Sequence, residues 1–144
     1  MTDEEADAFL EETRTLALCS IDHRGYPHAV GMWFCRIDGL VHMTTFRKAQ
    51  KVVNLRRDPK SALLAESGDR YGELRGLLLR GRTEVVDDLE LCLDVLQRIH
   101  QRMEGGERPG LDDALRSQAS KRVVLRFRPE RASSWDHRKL GGGR

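Results

Sequence analysis

The sequence predicts a mainly β protein of the α+β type, a small six-stranded antiparallel barrel with helices on its outside. Six segments have the alternation or the apolar content of strands, and most are joined by short turns. The regular alternation of strands and helices that marks a parallel sheet is absent, as are the GxGxxG and P-loop motifs. Barrel closure would hide the sheet edges. The predicted strands are residues 15–22, 27–37, 40–45, 61–67, 74–86 and 123–127.

Composition describes an ordinary globular chain. Its 144 residues fit a single domain, residues 1–144, with 33% charged and 39% hydrophobic residues. The net charge of +2 is too small to indicate a nucleic-acid partner. No apolar run is long enough to span a membrane and no signal peptide is recognised, so we expect a cytoplasmic protein without a membrane partner. The cysteines are isolated and lack metal-ligand spacing, so no metal site is predicted.

The first third of the chain contains a helix and a hairpin. Thr2 and Glu5 form a capping box for a helix that ends near Glu12. Residues 27–37 are apolar on both alternating faces and are expected to form one long strand. We expect core on one side of it and a ligand or a second subunit on the other. Asp38-Gly39 is a strong hairpin turn.

A basic segment follows the next strand. That strand is expected to end at Thr44 and Thr45, where a threonine would cap a helix that ends at Arg57, before Pro59. Free N–H groups at a helix start favour an anion, so the segment is a candidate phosphate site. The alternative is a solvated amphipathic helix with an apolar stripe of Ala49, Val52 and Val53. Its cations are Arg47, Lys48, Lys51, Arg56 and Arg57.

The second half continues the barrel. Gly81 interrupts the strand at residues 74–86 and predicts a bulge or a close backbone approach. Asp87 and Glu90 predict a second capping box, for a helix over residues 88–103. A short helix at residues 111–118 and a last strand that closes at Pro129 complete the pattern.

Several motifs resemble the pyridoxamine-5′-phosphate-oxidase-like split β-barrel family, which binds flavins. Thr45, Lys51 and Asp58-Pro59 stand at the spacing of that family's signature, and residues 27–34 match its flavin-bordering strand. Residues 128–131 and Trp135 resemble its last strand and its cofactor-side tryptophan. The resemblance implies a split barrel and a homodimer with cofactor sites at the interface. It covers nearly the whole chain.

One departure from the family pattern narrows the expected cofactor. The true oxidase has an arginine directly before the family lysine, and here that position is Gln50. Residues 54–59 and 134–139 look more like the branch that uses the deazaflavin coenzyme F420. That cofactor carries a phosphate and a glutamate tail, and the basic cluster suits it, although FMN would suit as well.

The resemblance assigns roles to individual residues. Lys51 would hold the phosphate, with Arg47 and Lys48 near it, and Thr44 and Thr45 would offer hydroxyl or backbone N–H groups. Backbone groups of Val30 and Gly31 would border the ring, where Gly31 permits close approach. Trp33 would stack near the ring or lie in the dimer interface, and Trp135 would edge the pocket or pack on the barrel. The predicted cofactor-binding set is Val30, Gly31, Trp33, Thr44, Thr45, Arg47, Lys48, Lys51 and Trp135.

No catalytic side chain can be assigned from the sequence. His28, His42 and His137 are candidates for proton transfer because histidine is the residue type suited to it near neutral pH, but a structural role is favoured for each. The absence of an acid–base set fits redox chemistry, in which the cofactor performs the difficult step. The resulting hypothesis is an F420-dependent reductase that transfers a hydride to an unsaturated organic small molecule. The alternatives are an FMN-dependent oxidoreductase and a non-catalytic flavin- or haem-binding protein.

Overall fold

The computed structural model describes residues 1–141, which form one seven-stranded antiparallel sheet with helices packed on it. The strands are β1 (Leu16–Ile21), β2 (Pro27–Met32), β3 (Cys35–Ile37), β4 (Leu40–Phe46), β5 (Lys60–Ser67), β6 (Arg75–Val86) and β7 (Arg122–Asp136). The helices are α1 (Asp3–Glu12), α2 (Gln50–Arg57), α3 (Leu89–Met103) and α4 (Leu111–Ala119), with short 3₁₀ turns at Tyr71–Glu73 and His137–Lys139. The predicted antiparallel barrel class is confirmed. Of the predicted single domain, residues 142–144 lie outside the described residues.

The strand order is β2-β1-β5-β6-β7-β4-β3, so β2 and β3 are the two edges of the sheet. The prediction of one long strand over residues 27–37 is therefore wrong, and the sheet has seven strands rather than six. The chain bends at Trp33 and Phe34, leaves the edge beside β1 and joins the edge beside β4. Phe34 and the next residue, Cys35, are both buried, which breaks the alternation of a strand. The bend curls the sheet and brings its edges together.

Two apolar clusters lie on the two faces of this sheet. The concave face holds the larger cluster, which includes Leu18, Met43 and Phe127. The smaller cluster lies between the sheet and the α3–α4 pair, with Val124 facing those helices. Successive residues of β7 therefore point into opposite cores. α3 and α4 pack on the outer face of the sheet, as predicted for the helices, whereas α1 and α2 contribute Phe9, Leu10, Val52 and Leu55 to the larger cluster.

The basic helix begins later than the sequence predicts. α2 starts at Gln50, with Ala49 at the N-cap position and no capping side chain. Thr44 and Thr45 lie inside β4 and are buried, so neither caps the helix. Their β-branched side chains pack well in a strand, and β4 pairs with β7 through both residues. The buried stripe also differs, because Val53 is 53% exposed while Leu55 is buried.

Other boundaries are partly confirmed. The capping box of Thr2 and Glu5 is present at α1. At α3 the cap is Asp88 and not Asp87, because the Asp88 carboxylate accepts the N–H of Leu91. No helix of residues 1–141 has the length and apolar character needed to cross a membrane.

The last strand continues past Pro129, against the prediction that the proline closes it. A register shift beside Gly81 places Gly81 opposite Pro129 and Arg80 opposite Arg131. A proline is tolerated at such a bulge because its missing N–H breaks no regular ladder bond. The bulge and close approach predicted at Gly81 are confirmed, since a Cβ there would lie 2.0 Å from the carbonyl oxygen of Arg128.

Candidate functional site

A cleft of about 510 Å³ lies where the end of β2 and its bend face the end of β4. α3 and α4 form its outer wall, and the first turn of α2 closes one end. Six of the nine predicted site residues line this cleft: Val30, Gly31, Trp33, Thr44, Thr45 and Lys51. They come from three elements that only the curled sheet brings together.

Lys51 lies in the first turn of α2 and lines the cleft. Burial lowers the pKa of this amine, and the nearby guanidinium of Arg122 lowers the pKa further. No carboxylate within residues 1–141 forms an ion pair with Lys51 or with Arg122. Two neighbouring cations without an acidic partner favour an anionic ligand.

Arg122 is a cleft residue that sequence reasoning missed. It is the first residue of β7, where it pairs with Phe46 of β4. Its Nη1 donates to Thr44 Oγ1 at 3.4 Å, and its guanidinium carbon lies 4.4 Å from the centre of the Phe46 ring. Its Nε is buried and has no acceptor among the described residues. In the sequence it is one of many basic residues, and the β4–β7 pairing alone identifies it.

The strand β2 provides the opposite wall. Because β2 is an edge of the sheet, it pairs with β1 on one side. The sheet supplies no partner for the backbone N–H and C=O groups on its other side. Gly31 is exposed and allows close approach to that backbone, while Trp33 stands at the bend with 45% of its surface exposed. This wall can border a flat ring through its backbone and a large aromatic side chain.

The other three predicted residues lie elsewhere. Arg47 forms an ion pair with Asp87, with Nη2 to Oδ1 at 3.0 Å, and Lys48 is exposed outside the cleft. Trp135 lies near the far end of β7, where its ring covers Gly76 of β6. It does not line the cleft of its own chain.

The three candidate histidines also lie outside the cleft. The ring nitrogens of His42 contact the Leu40 carbonyl oxygen (2.8 Å) and Arg126 Nε (3.1 Å). The Nδ1 of His137 lies 2.8 Å from the Tyr71 carbonyl oxygen, and the Nδ1 of His28 is buried without a partner among residues 1–141.

A fourth histidine, His100, does line the cleft. His100 of α3 lies on the outer wall with Glu104, and its Nδ1 is 3.6 Å from a Glu104 carboxylate oxygen. Arg108 and Gln118 complete the polar part of this wall. His100 lies on α3, and the packing of that helix against the sheet brings His100 to the cleft. Within residues 1–141, no three His, Cys, Asp or Glu side chains are grouped to hold a metal ion.

The curled sheet and the bend that joins its edges define the class of the protein as a split β-barrel, here with a cationic cleft. A family model described as pyridoxamine 5′-phosphate oxidase matches residues 2–136. The chain belongs to this family of flavin-binding oxidoreductases, which confirms the resemblance drawn from the sequence.

Solved structures place the chain among split barrels of varied function. A conserved hypothetical protein from Mycobacterium tuberculosis, Rv2991, is 38% identical with a TM-score of 0.92, covering 98% of this chain and 88% of that protein. A structure described as an F420 reductase is 25% identical with a TM-score of 0.68, covering 88% and 94%. HutZ, a haem storage protein from Vibrio cholerae, is 20% identical with a TM-score of 0.71, covering 93% of both chains, and shows the fold alone. No curated protein matches the chain.

Proposed function

We propose that the protein is a reductase dependent on coenzyme F420, with the cofactor held in the cleft between β2, β4 and α2. The observation that carries the proposal is the partly desolvated Lys51, which lines the same cleft as the unpaired edge of β2. The similarity to the F420 reductase supports the deazaflavin over FMN. FMN remains the alternative cofactor, because its phosphate would suit the same cations.

The residues of the cleft fit such a cofactor. The Lys51 ammonium would hold the phosphate, and Thr44 and Thr45 of β4 line the same cleft. The edge of β2 at Val30 and Gly31 would border the ring with its backbone. A bound reduced deazaflavin supplies a hydride for transfer to an unsaturated organic substrate. The described chain contributes binding, orientation and the exclusion of water.

A homodimer would complete this site. The outward face of β1, β2 and β5 is apolar and partly exposed, with Ala17, Cys19, Ala29 and Leu64 among its side chains. An apolar sheet face of this kind favours burial against a second copy. Trp135 lies outside the cleft of its own chain, and we propose that Trp135 of the partner subunit edges the cofactor pocket.

A haem-binding function has weaker support. Haem needs an axial ligand in its pocket, and His28, His42 and His137 do not line the cleft. His100 does line it, but its ring lies near Glu104 and near the Gly106 carbonyl oxygen. We therefore propose the deazaflavin reductase, with the FMN oxidoreductase as the second candidate.

Parallel fluorescence titrations with coenzyme F420 and with FMN test the proposal. We expect the protein to bind the deazaflavin more tightly than FMN. Preference for FMN would replace the deazaflavin reductase by the FMN oxidoreductase, and binding of neither would refute both. Analytical ultracentrifugation with and without cofactor tests the dimer, and a monomer in the cofactor-bound state would refute it.

A further inference from the structure

The strongest unassigned feature of the cleft is Arg122. We infer that Arg122 and Lys51 together form a two-cation site for a doubly negative phosphoryl group. The inference builds on the proposed cofactor site, since it names the residue that shares the phosphate with Lys51. It can be tested without the cofactor, because a phosphate receptor should bind simple phosphate compounds by itself.

The first argument is the balance of charge in the cleft. Arg122 and Lys51 are close enough for the guanidinium to lower the pKa of the amine, and neither has an ion-pair partner within residues 1–141. Like charges in a partly buried cleft repel each other, and an anion between them removes the repulsion. The outer wall adds Arg108 and His100, and its acidic residue, Glu104, lies beside His100.

The second argument is the orientation of the guanidinium. The Phe46 ring and the Thr44 hydroxyl hold one side of it. Its Nε is buried without an acceptor among the described residues. A buried N–H donor without an acceptor is costly, so native proteins rarely keep one unless a ligand or water supplies the acceptor. The guanidinium group of an arginine can bind the oxygens of a phosphoryl group in a bidentate manner.

The third argument concerns Gln50. The family resemblance places an arginine directly before the lysine, and this chain has Gln50 there. Gln50 Nε2 donates to Asn54 Oδ1 at 2.8 Å, and Gln50 does not line the cleft. Gln50 therefore adds no positive charge to the cleft, whereas Arg122 of β7 lines it together with Lys51. Its place in the site depends on pairing between β4 and β7.

The ligand of this two-cation site can carry its two negative charges in two ways. A phosphate monoester such as the end group of FMN carries both charges on one phosphorus near neutral pH. A phosphodiester carries one charge, and a neighbouring carboxylate can supply the other, as in the deazaflavin tail. Titration calorimetry at pH 7.5 with methyl phosphate, dimethyl phosphate and dimethyl phosphate plus acetate separates these sources.

The decisive experiment compares Arg122→Gln with the wild-type protein, using inorganic phosphate and methyl phosphate as probes. We expect a loss of affinity of about tenfold or more, because one charge-assisted contact is removed. Arg122→Lys keeps the positive charge but loses the planar, two-donor geometry of the guanidinium. Its phosphate affinity should therefore lie between those of the wild type and Arg122→Gln. Arg116→Gln is the matched control, because Arg116 is an exposed arginine of α4 that pairs with Glu90 outside the cleft. Its phosphate affinity should equal that of the wild type.

A second measurement separates binding from packing. NMR titration of the lysine side chains should show a higher pKa for Lys51 in Arg122→Gln than in the wild type. Unchanged phosphate affinity in Arg122→Gln and Arg122→Lys, or no phosphate binding by the wild type, would overturn the inference. Arg122-dependent phosphate binding by a protein that binds neither F420 nor FMN would support the inference and refute the proposed function. Equal cofactor affinity in the wild type and in Arg122→Gln would overturn the inference but leave the proposed function standing.

Discussion

Arg102 of α3 is the side chain on which we expect the stability of this fold to depend most. Its Nη2 donates to the carbonyl oxygens of Leu10 (2.9 Å), Glu11 (3.0 Å) and Thr13 (2.6 Å), and its Nη1 donates to that of Phe34 (3.4 Å). Its guanidinium carbon also lies 4.3 Å from the centre of the Phe34 ring. One side chain therefore joins α3, the end of α1 and the bend between β2 and β3.

The substitution Arg102→Met removes all four hydrogen bonds while it keeps most of the side-chain volume. A hydrogen bond to a charged group contributes roughly 1.5–3 kcal/mol. Water can replace the guanidinium at the exposed Glu11 carbonyl, whereas Phe34 and Thr13 are buried. We therefore expect a net loss of about 2–4 kcal/mol in the free energy of unfolding, or roughly 5–15 °C in melting temperature.

Urea denaturation followed by circular dichroism measures this loss, and hydrogen exchange locates it. We expect faster exchange in α1 and around Phe34, since both lose their connection to α3. The control is Arg98→Met, one turn earlier on α3, where Arg98 pairs only with Asp94 at the surface. Its effect should be within about 0.5 kcal/mol. Equal losses in the two variants, or no loss in Arg102→Met, would refute the idea that Arg102 stabilises the fold by joining α3, α1 and the bend.

Three further predictions concern the site, the bulge and the pH dependence. Lys51→Ala should weaken cofactor binding by about 1.5–3 kcal/mol, measured by fluorescence titration, without unfolding the protein. Lys48→Ala should leave cofactor binding unchanged. Equal effects of the two substitutions would argue against the cleft as the cofactor site. Gly81→Ala should lower the free energy of unfolding by at least about 2 kcal/mol, measured by urea denaturation, because the added Cβ would lie 2.0 Å from the Arg128 carbonyl oxygen. An unchanged free energy of unfolding would mean that the bulge relaxes. Burial and the nearby Arg126 lower the pKa of His42 from its ordinary value near 6.5. The unfolded chain therefore takes up a proton first, so the stability that neutral His42 contributes is lost as the pH falls below about 6.5. This loss should be smaller in His42→Gln, and identical pH profiles would exclude His42 as its source.

Local features of the chain were predictable because they depend on neighbouring residues. The capping box at Thr2 needs only Glu5 three positions away, and the bulge follows from Gly81 within a strand pattern. The signature of Thr45, Lys51 and Asp58-Pro59 likewise lies within 15 positions, and it indicated the family together with residues 27–34, residues 128–131 and Trp135. For the same reason the cleft residues on β2, β4 and α2 could be named before their geometry was known.

Only the tertiary structure decided which distant residues meet. Residues 27–37 look like one strand locally, but the burial of Phe34 and Cys35 divides them between the two edges of the sheet. Arg122 is 78 positions from Thr44, and nothing in the local pattern distinguishes it from the arginines around it. Strand pairing places Arg122 opposite Phe46, and Arg122 lines the same cleft as Lys51, while Arg47 pairs with Asp87 outside the cleft. Periodicity and capping act over a few residues, whereas the register between β4 and β7 depends on how two cores pack on opposite faces of the same sheet.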